Sequence, residues 1–389
     1  MRRLATSAVV FFVAASLQAA CHYGFEADSF NLAVPSLKSG TKVFSPFFFE
    51  LDCVVFSACL DTLSRAAIAE RLNILSGLEA EFTPILETFG AATNGFSLVG
   101  ARGFCVPNVP NPNPMFRRTL QRDYGVVTCP DFPVKGANCW FRSMMDGKME
   151  DFSISIDGRG DNRFAYYDLI CLRMAWQEPF PTANSRRMKF TCADGTKVDA
   201  DFMADVRLAD TLETSEYQLL RLPLRGNAVF YALAARGDAS LDGLRGEVSS
   251  GEIRNLLASM RSTTSPGVER GPTVVVLPRL DVDTTIDLLP ILHAVGCPTH
   301  GLTGVAGDCA AREIAQRVRF QLFEQGEGEP ACAEKPADRQ FRTGDCRRKV
   351  LLNRPFLFFV VHEPTETIPL MGQYDGPGTA VEPVVKQNK

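Results

Sequence analysis

The chain is short of the features that mark most enzymes. It has four histidines and two tryptophans in 389 residues, and no GxSxG, HExxH or phosphate-cradling glycine loop. None of its twelve cysteines belongs to a CxxC pair, which excludes a zinc knuckle or a thioredoxin-like centre. No Asn-x-Ser/Thr triplet occurs, so no N-linked glycan is expected. The formal net charge of −4 leaves no basic excess, and nucleic-acid binding needs a basic face. After the first twenty residues no charge-free apolar run approaches the about 20 residues that span a bilayer. There is no internal repeat and no linker-like segment. No catalytic residue, metal ligand or cofactor is expected, and no membrane or nucleic-acid partner.

What is present is an ordinary globular composition, 46% hydrophobic and 22% charged, with enough apolar residues for a large core. Residues 1–20 read as a secretory signal peptide: Arg2 and Arg3, a short apolar run from Ala8 to Ala15, then Ala19 and Ala20 as a cleavage site. The mature chain is expected to be secreted, extracellular and monomeric. In an exported chain the cysteines default to disulfides, whose connectivity is not legible.

Ser45-Pro46 is a helix start, a cap followed by a residue of preset φ, and opens helical periodicity over 47–74. A second helix is predicted at 78–90. Residues 95–105, 164–175 and 187–192 have strand character, and the proline-rich 106–115 is a loop. The apolar runs 228–235 and 273–280 read as strands buried on both faces, and 252–261 and 286–295 as short helices. Residues 324–349 are polar, hold Gly and Pro, and carry no apolar period. A loop that long just before the last core run, 350–361, points to function. The fold class is α+β.

Seven segments in order carry a family resemblance: 43–47 (VFSPF), 137–149 (ANCWFRSMMDGKM), 164–180 (FAYYDLICLRMAWQEPF), 193–199 (ADGTKVD, with Met203), 219–227 (LLRLPLRGN), 276–280 (VLPRL) and 354–372 (RPFLFFVVHEPTETIPLMG). Together they resemble the serpins, the serine protease inhibitor family. The resemblance implies a serpin fold of three β-sheets and about nine helices. It makes 21–389 one domain, where length alone would suggest two or more, and 324–349 the exposed reactive-centre loop. It also implies inhibition of a serine-type endopeptidase, with a secreted serine protease as partner. In that family the protease attacks a bond in the loop and forms an acyl-enzyme. The cut loop then enters the main sheet as a new strand.

Insertion demands small, uncharged alternate residues in the hinge. Family inhibitors carry Glu-Glu-Gly, then Thr, then alanines. Aligned on Glu324-Gln325-Gly326, this sequence puts Glu327 at the Thr position; one residue later, Gly328 stands there; Pro330 interrupts the run in either register. A buried carboxylate and a proline both oppose a central strand. At the family's polar shutter, where a Ser, an Asn and a His cluster beside the Ser-Pro turn, the matching residues are Phe48, Asp168 and Gln316, with Ser45 retained.

Counting about fourteen residues from Gly326 by family spacing gives Gln340-Phe341 as the cut bond; counting back from Pro355 gives a point near Gly344. Arg342 lies between, Arg339 close by, and an arginine suits a trypsin-like protease. Cys332 and Cys346 flank every candidate, and a bridge between them would clamp the loop. The alternative function is a non-inhibitory serpin: a ligand carrier, binding partner or decoy. His293 and His362 are assigned structural roles, and Trp140 and Trp176 are core anchors.

Overall fold

The computed structural model describes residues 26–33, 40–60, 66, 78–90, 95–105, 114–129, 134–145, 147–149, 151–153, 163–237, 239–249, 252–262, 264–302, 310–326 and 348–377. In chain order the elements are α1 (26–33), β1 (Lys42–Phe44), α2 (Pro46–Ala58), α3 (Leu78–Gly90), β2 (Phe96–Cys105), α4 (Pro114–Tyr124), β3 (Val126–Cys129), α5 (Val134–Met144) and β4 (Arg163–Met174). They continue with β5 (Arg186–Thr191), β6 (Lys197–Glu213), β7 (Tyr217–Pro223), β8 (Ala228–Ala235), α6 (Leu241–Glu247), α7 (Glu252–Arg261), β9 (Val268–Pro278) and β10 (Leu280–Asp287). The last are α8 (Leu289–Ala294), β11 (Ala310–Leu322), β12 (Lys349–Leu351), β13 (Phe356–His362) and β14 (Thr367–Tyr374).

Two sheets hold all these strands. A five-stranded sheet runs β10-β11-β4-β2-β3. A nine-stranded one runs β1-β14-β13-β8-β7-β6-β9-β12, with β5 also on β6. The resemblance implies three sheets. Among the described strands the two smaller ones are continuous, because the 17 residues of β6 pair β5 and β9 along most of their length and β7 at their end.

Residues 46–57 of α2 are all buried, as expected of a helix apolar on every side. It sits inside the core against β14. Pro46 fills the first helical position and Ser45 is extended, yet Ser45 makes no side-chain cap. Its hydroxyl donates instead to the Pro369 carbonyl at 2.7 Å. The helix closes at Ala58, where the Cys59 N–H turns back to Phe56 and Ser57 carbonyls, so the apolar period of 47–74 is not one helix.

Strand β4 is buried on both faces because both are covered. Phe164, Tyr166, Ile170 and Leu172 enter the main core. Ala165, Tyr167, Leu169 and Cys171 enter a second cluster with Phe141 of α5 and Phe152. That explains why its sequence shows no alternation.

The predicted helix 286–295 shortens to α8, since residues 286 and 287 end β10 by pairing with Gln316 and Ala315. The predicted loop of 106–115 loses its last two residues to α4. The described ends of the segment expected as a loop, 324–349, are both tied into the fold. Glu324 is buried, and Lys349 joins β12, parallel to β9.

Candidate functional site

The seam between β4 and β11 is the region where the predicted residues meet. These strands run parallel and pair from Arg163/Ala310 to Leu172/Phe320. Midway, Gln316 lies opposite Asp168, and Asp168 lies opposite Arg102 of β2. This row crosses three strands and faces α2.

One amide joins the parts. The Ser45 N–H donates to Gln316 Oε1 at 2.8 Å, and Gln316 Nε2 donates to the Ser45 carbonyl and to Asp168 Oδ2, each at 3.2 Å. Gln316 therefore holds β11 to β4 and both to the start of α2. Ser45, Asp168 and Gln316 form one buried network. Phe48 is buried beside it but adds no polar atom. Its ring lies edge-on to Phe47 and beneath the Arg102 guanidinium, 5.1 Å from the centroid.

Asp52, Tyr166 and Arg102 extend this network and were not singled out from the sequence. The Tyr166 hydroxyl donates to Asp52 Oδ1 at 2.6 Å, and Arg102 Nη2 donates to the Tyr124 carbonyl at 2.6 Å. Burial pushes the Asp168 carboxyl up to about 7, with Arg102 and the Gln316 bond opposing. Burial, and then the charge of Asp168, push Asp52 well above the usual carboxylate range. Asp52 Oδ2 and Asp168 Oδ1 each lack a hydrogen-bond partner. Arg102 opposes both shifts electrostatically, but burial favours the protonated form of each carboxyl. The available signal was acids inside otherwise apolar runs, Glu50 and Asp52 in FELDCVVF and Asp168 in YYDLICL.

At the end of β11 the chain turns sharply. The Phe323 N–H donates to the Gly326 carbonyl and the Gly326 N–H to the Phe323 carbonyl, at 2.7 and 3.1 Å. Gly326 has φ +122°, and a Cβ there would stand 2.3 Å from the Met174 carbonyl oxygen, so only glycine fits. Glu324 Oε1 accepts from Arg279 Nη2 at 2.6 Å, from Arg279 Nε at 2.9 Å and from Ser185 Oγ at 2.5 Å. The buried Trp176 donates its indole N–H to the Phe323 carbonyl at 2.8 Å. The start of the predicted hinge is thus tied to the end of β4 and to the head of β10.

The outer face of the seam carries a different device. Arg317 of β11 pairs with Asp283 of β10 through two bonds of 2.9 and 2.8 Å, and with both oxygens of Asp151 at 3.0 Å. Asp151 belongs to the segment after α5, so the guanidinium straps that segment to β11. The hydrogen bond from Arg317 holds the Asp151 carboxyl below its ordinary value.

Of the other predicted residues, Glu327, Gly328, Pro330, Cys332, Arg339, Gln340, Phe341, Arg342 and Cys346 lie outside the described residues, as does the signal segment 1–20. His362 is buried, stacked on Phe96 and edge-on to Phe89, with Nδ1 2.8 Å from Thr365 Oγ1. His293 Nε2 meets Thr299 Oγ1 at 3.0 Å. Trp140 is half-buried, edge-on to Phe141. Among the described residues no group of three His, Cys, Asp or Glu could hold a metal ion, and no helix is long and apolar enough to cross a membrane.

Three comparisons with known proteins agree. A family model described as Serpin (serine protease inhibitor) matches residues 29–377. Plasminogen activator inhibitor 1 of Bos taurus is 25% identical over 282 residues, 68% of this chain and 66% of its own length. Serpin I2 of Homo sapiens is 23% identical over 254 residues, 62% of this chain and 60% of its own. The chain thus spans under two thirds of the length of these curated relatives. Native protease nexin-1 with heparin superposes with a TM-score of 0.77 at 17% identity, covering 92% of this chain and 99% of that one. Thyroxine-binding globulin in complex with thyroxine superposes at 0.76 and 14% identity, covering 93% and 99%. At these identities the structures share the fold.

Proposed function

The chain belongs to the serpin family, and from that premise we propose that it is a secreted inhibitor of a trypsin-like serine protease, with residues 327–347 as the bait segment. The loop arginines Arg339 and Arg342 carry this reading, and the seam bears on its mechanism. Because β4 and β11 run parallel, a chain that reverses at the 323–326 turn and runs back between them is antiparallel to both neighbours. Two antiparallel ladders would replace one parallel one, which favours insertion. The geometry of the seam therefore suits the family's strand-insertion mechanism, and the turn after β11 delivers the chain to its mouth.

The bait is read from the sequence. Arg339 and Arg342 lie where the cut bond is counted, and a trypsin-like specificity pocket pairs an arginine with its carboxylate. In the family's trapping reaction the protease serine attacks the carbonyl of that arginine, the amine of the next residue leaves, and the acyl-enzyme forms. Trapping then needs insertion, and three features resist it. Glu327 would carry a carboxylate into the sheet, at several kcal/mol. Pro330 lacks a ladder donor. The Gln316 network and the buried Phe48 close the seam from within. The inhibitor accordingly occupies the protease as a reversible, non-covalent plug, without a lasting acyl-enzyme and without inserting.

Titration of trypsin with the full chain, with residual activity and an SDS gel as readouts, tests this. Loss of trypsin activity without an SDS-stable complex is the expected result. A covalent complex would show that the loop inserts despite Glu327 and Pro330. Cleavage of the chain with trypsin activity intact would end the inhibitor reading and favour a carrier, binding partner or decoy.

A further inference from the structure

Beneath the seam two cysteines meet. Cys53 lies on α2, one residue beyond Asp52, and Cys297 lies just past α8. The Cys297 Sγ is 3.8 Å from the Cys53 carbonyl oxygen, and the two side chains, both free thiols in this structure, lie close enough to interact electrostatically. They are 0% and 2% exposed. Local backbone chemistry aims Cys297 inward. Gly296 takes φ +72° and returns its N–H to the His293 carbonyl at 3.0 Å, while the Cys297 N–H returns to Leu292 at 2.8 Å. That pair of bonds is the Schellman ending of a helix. It places Cys297 against α2 although 243 residues separate the two in the chain.

We propose that Cys53 and Cys297 are joined by a disulfide in the exported protein. The proposal rests on the reading that the chain is secreted. The oxidant is a second disulfide, either glutathione disulfide or a disulfide of a thiol oxidase. The thiolate of one cysteine attacks it, forming a mixed disulfide and releasing one thiol. The thiolate of the other then attacks the mixed disulfide, closing the protein bond and releasing the second thiol. Two protein thiols are oxidised and one disulfide is reduced to two thiols. Burial and the neighbouring Cys297 push the Cys53 thiol well up in the folded chain. The exchange therefore belongs to folding, before the core closes, and the finished bond is shielded from reduction. The bridge fastens α2 to the β10 and β11 side of the seam. On the β4 side, α2 is held by the hydrogen bond from Tyr166 to Asp52. Any opening of the seam must then move β4 against α2.

The full chain is refolded in a glutathione and glutathione disulfide buffer, unfolded in urea with an alkylating agent and no reductant, digested and mapped by mass spectrometry. Fragmentation must separate Cys53 from Cys59 and Cys297 from Cys309. A linked pair of peptides, two hydrogens lighter than their sum and joined through Cys53 and Cys297, is the expected result. Recovery of either cysteine alkylated, or bridged elsewhere, overturns the proposal. As a second readout, refolding with reductant instead of in the glutathione buffer should lower the unfolding temperature of wild type by several degrees more than that of Cys297→Ser. An equal drop in both would place the reducible bond elsewhere. Oxidation in the buffer does not depend on export, so failed secretion leaves this result standing, and a missing bridge leaves the inhibitor reading standing.

Discussion

The two faces of the β4 and β11 seam use opposite electrostatics on the same strands. Inside, Asp168 and Gln316 are buried with Asp52 and Arg102. Their polar atoms are satisfied mainly by neutral donors, and two carboxylate oxygens are left unpaired. Outside, one residue along β11, Arg317 meets Asp283 and the mostly exposed Asp151 in a charged triad. The period of two that sends neighbours to opposite faces makes this possible. The difference teaches where sheet closure is decided. Buried hydrogen bonds of an amide are costly to leave unmade, while an ion pair with an exposed partner, such as Arg317 with Asp151, is screened and weak.

Removing the inner amide should break the comparison most. Gln316→Leu strands the Ser45 N–H and Asp168 Oδ2, leaves the Ser45 carbonyl only its bond from the Phe49 N–H, and should cost about 3 kcal/mol in urea unfolding. A loss no larger than that of an outer-face variant would show that the inner network does not dominate.

The pH dependence should come from the inner face. The folded value of Asp168, about 7, lies above its ordinary 3.8. Its protonated form therefore adds stability that is complete below about pH 4 and lost as pH rises through about 7. Asp52, also raised, acts with the same sign. Wild-type stability should fall between pH 5 and pH 7, and Asp168→Asn should remove roughly half of that fall. An unchanged slope would remove Asp168 from the titration.

The smallest effect should be outside. Asp151 is 74% exposed, so Asp151→Asn should cost below about 0.5 kcal/mol, and less in high salt. A loss near that of Gln316→Leu would mean that the strap, and not the amide, holds the seam shut.

Several elements were legible in the sequence because their signals are local. The predicted helix 78–90 is α3 to the residue, and the strand at 95–105 differs from β2 by one. Residues 228–235 form β8 between β7 and β13. Ser45-Pro46 marked a helix start, but not the use of the serine hydroxyl, because its acceptor, Pro369, is far along the chain. The end of α2 at Ala58 was not legible either, since the apolar period runs on past it.

The site divides in the same way. Ser45, Phe48, Asp168 and Gln316 were found through motif positions. Asp52, Tyr166 and Arg102 were not, because a buried acid looks like any acid until its surroundings are known. By itself the sequence determined the elements set by propensity, periodicity and turn chemistry, and the order of family motifs along the chain. Tertiary structure alone decided which of two faces each strand residue meets. It also set Arg102, Asp168 and Gln316 in one row, and Cys53 beside Cys297. Such neighbours are chosen by strand register and helix seating, which depend on the burial of the whole core and not on any local run of residues.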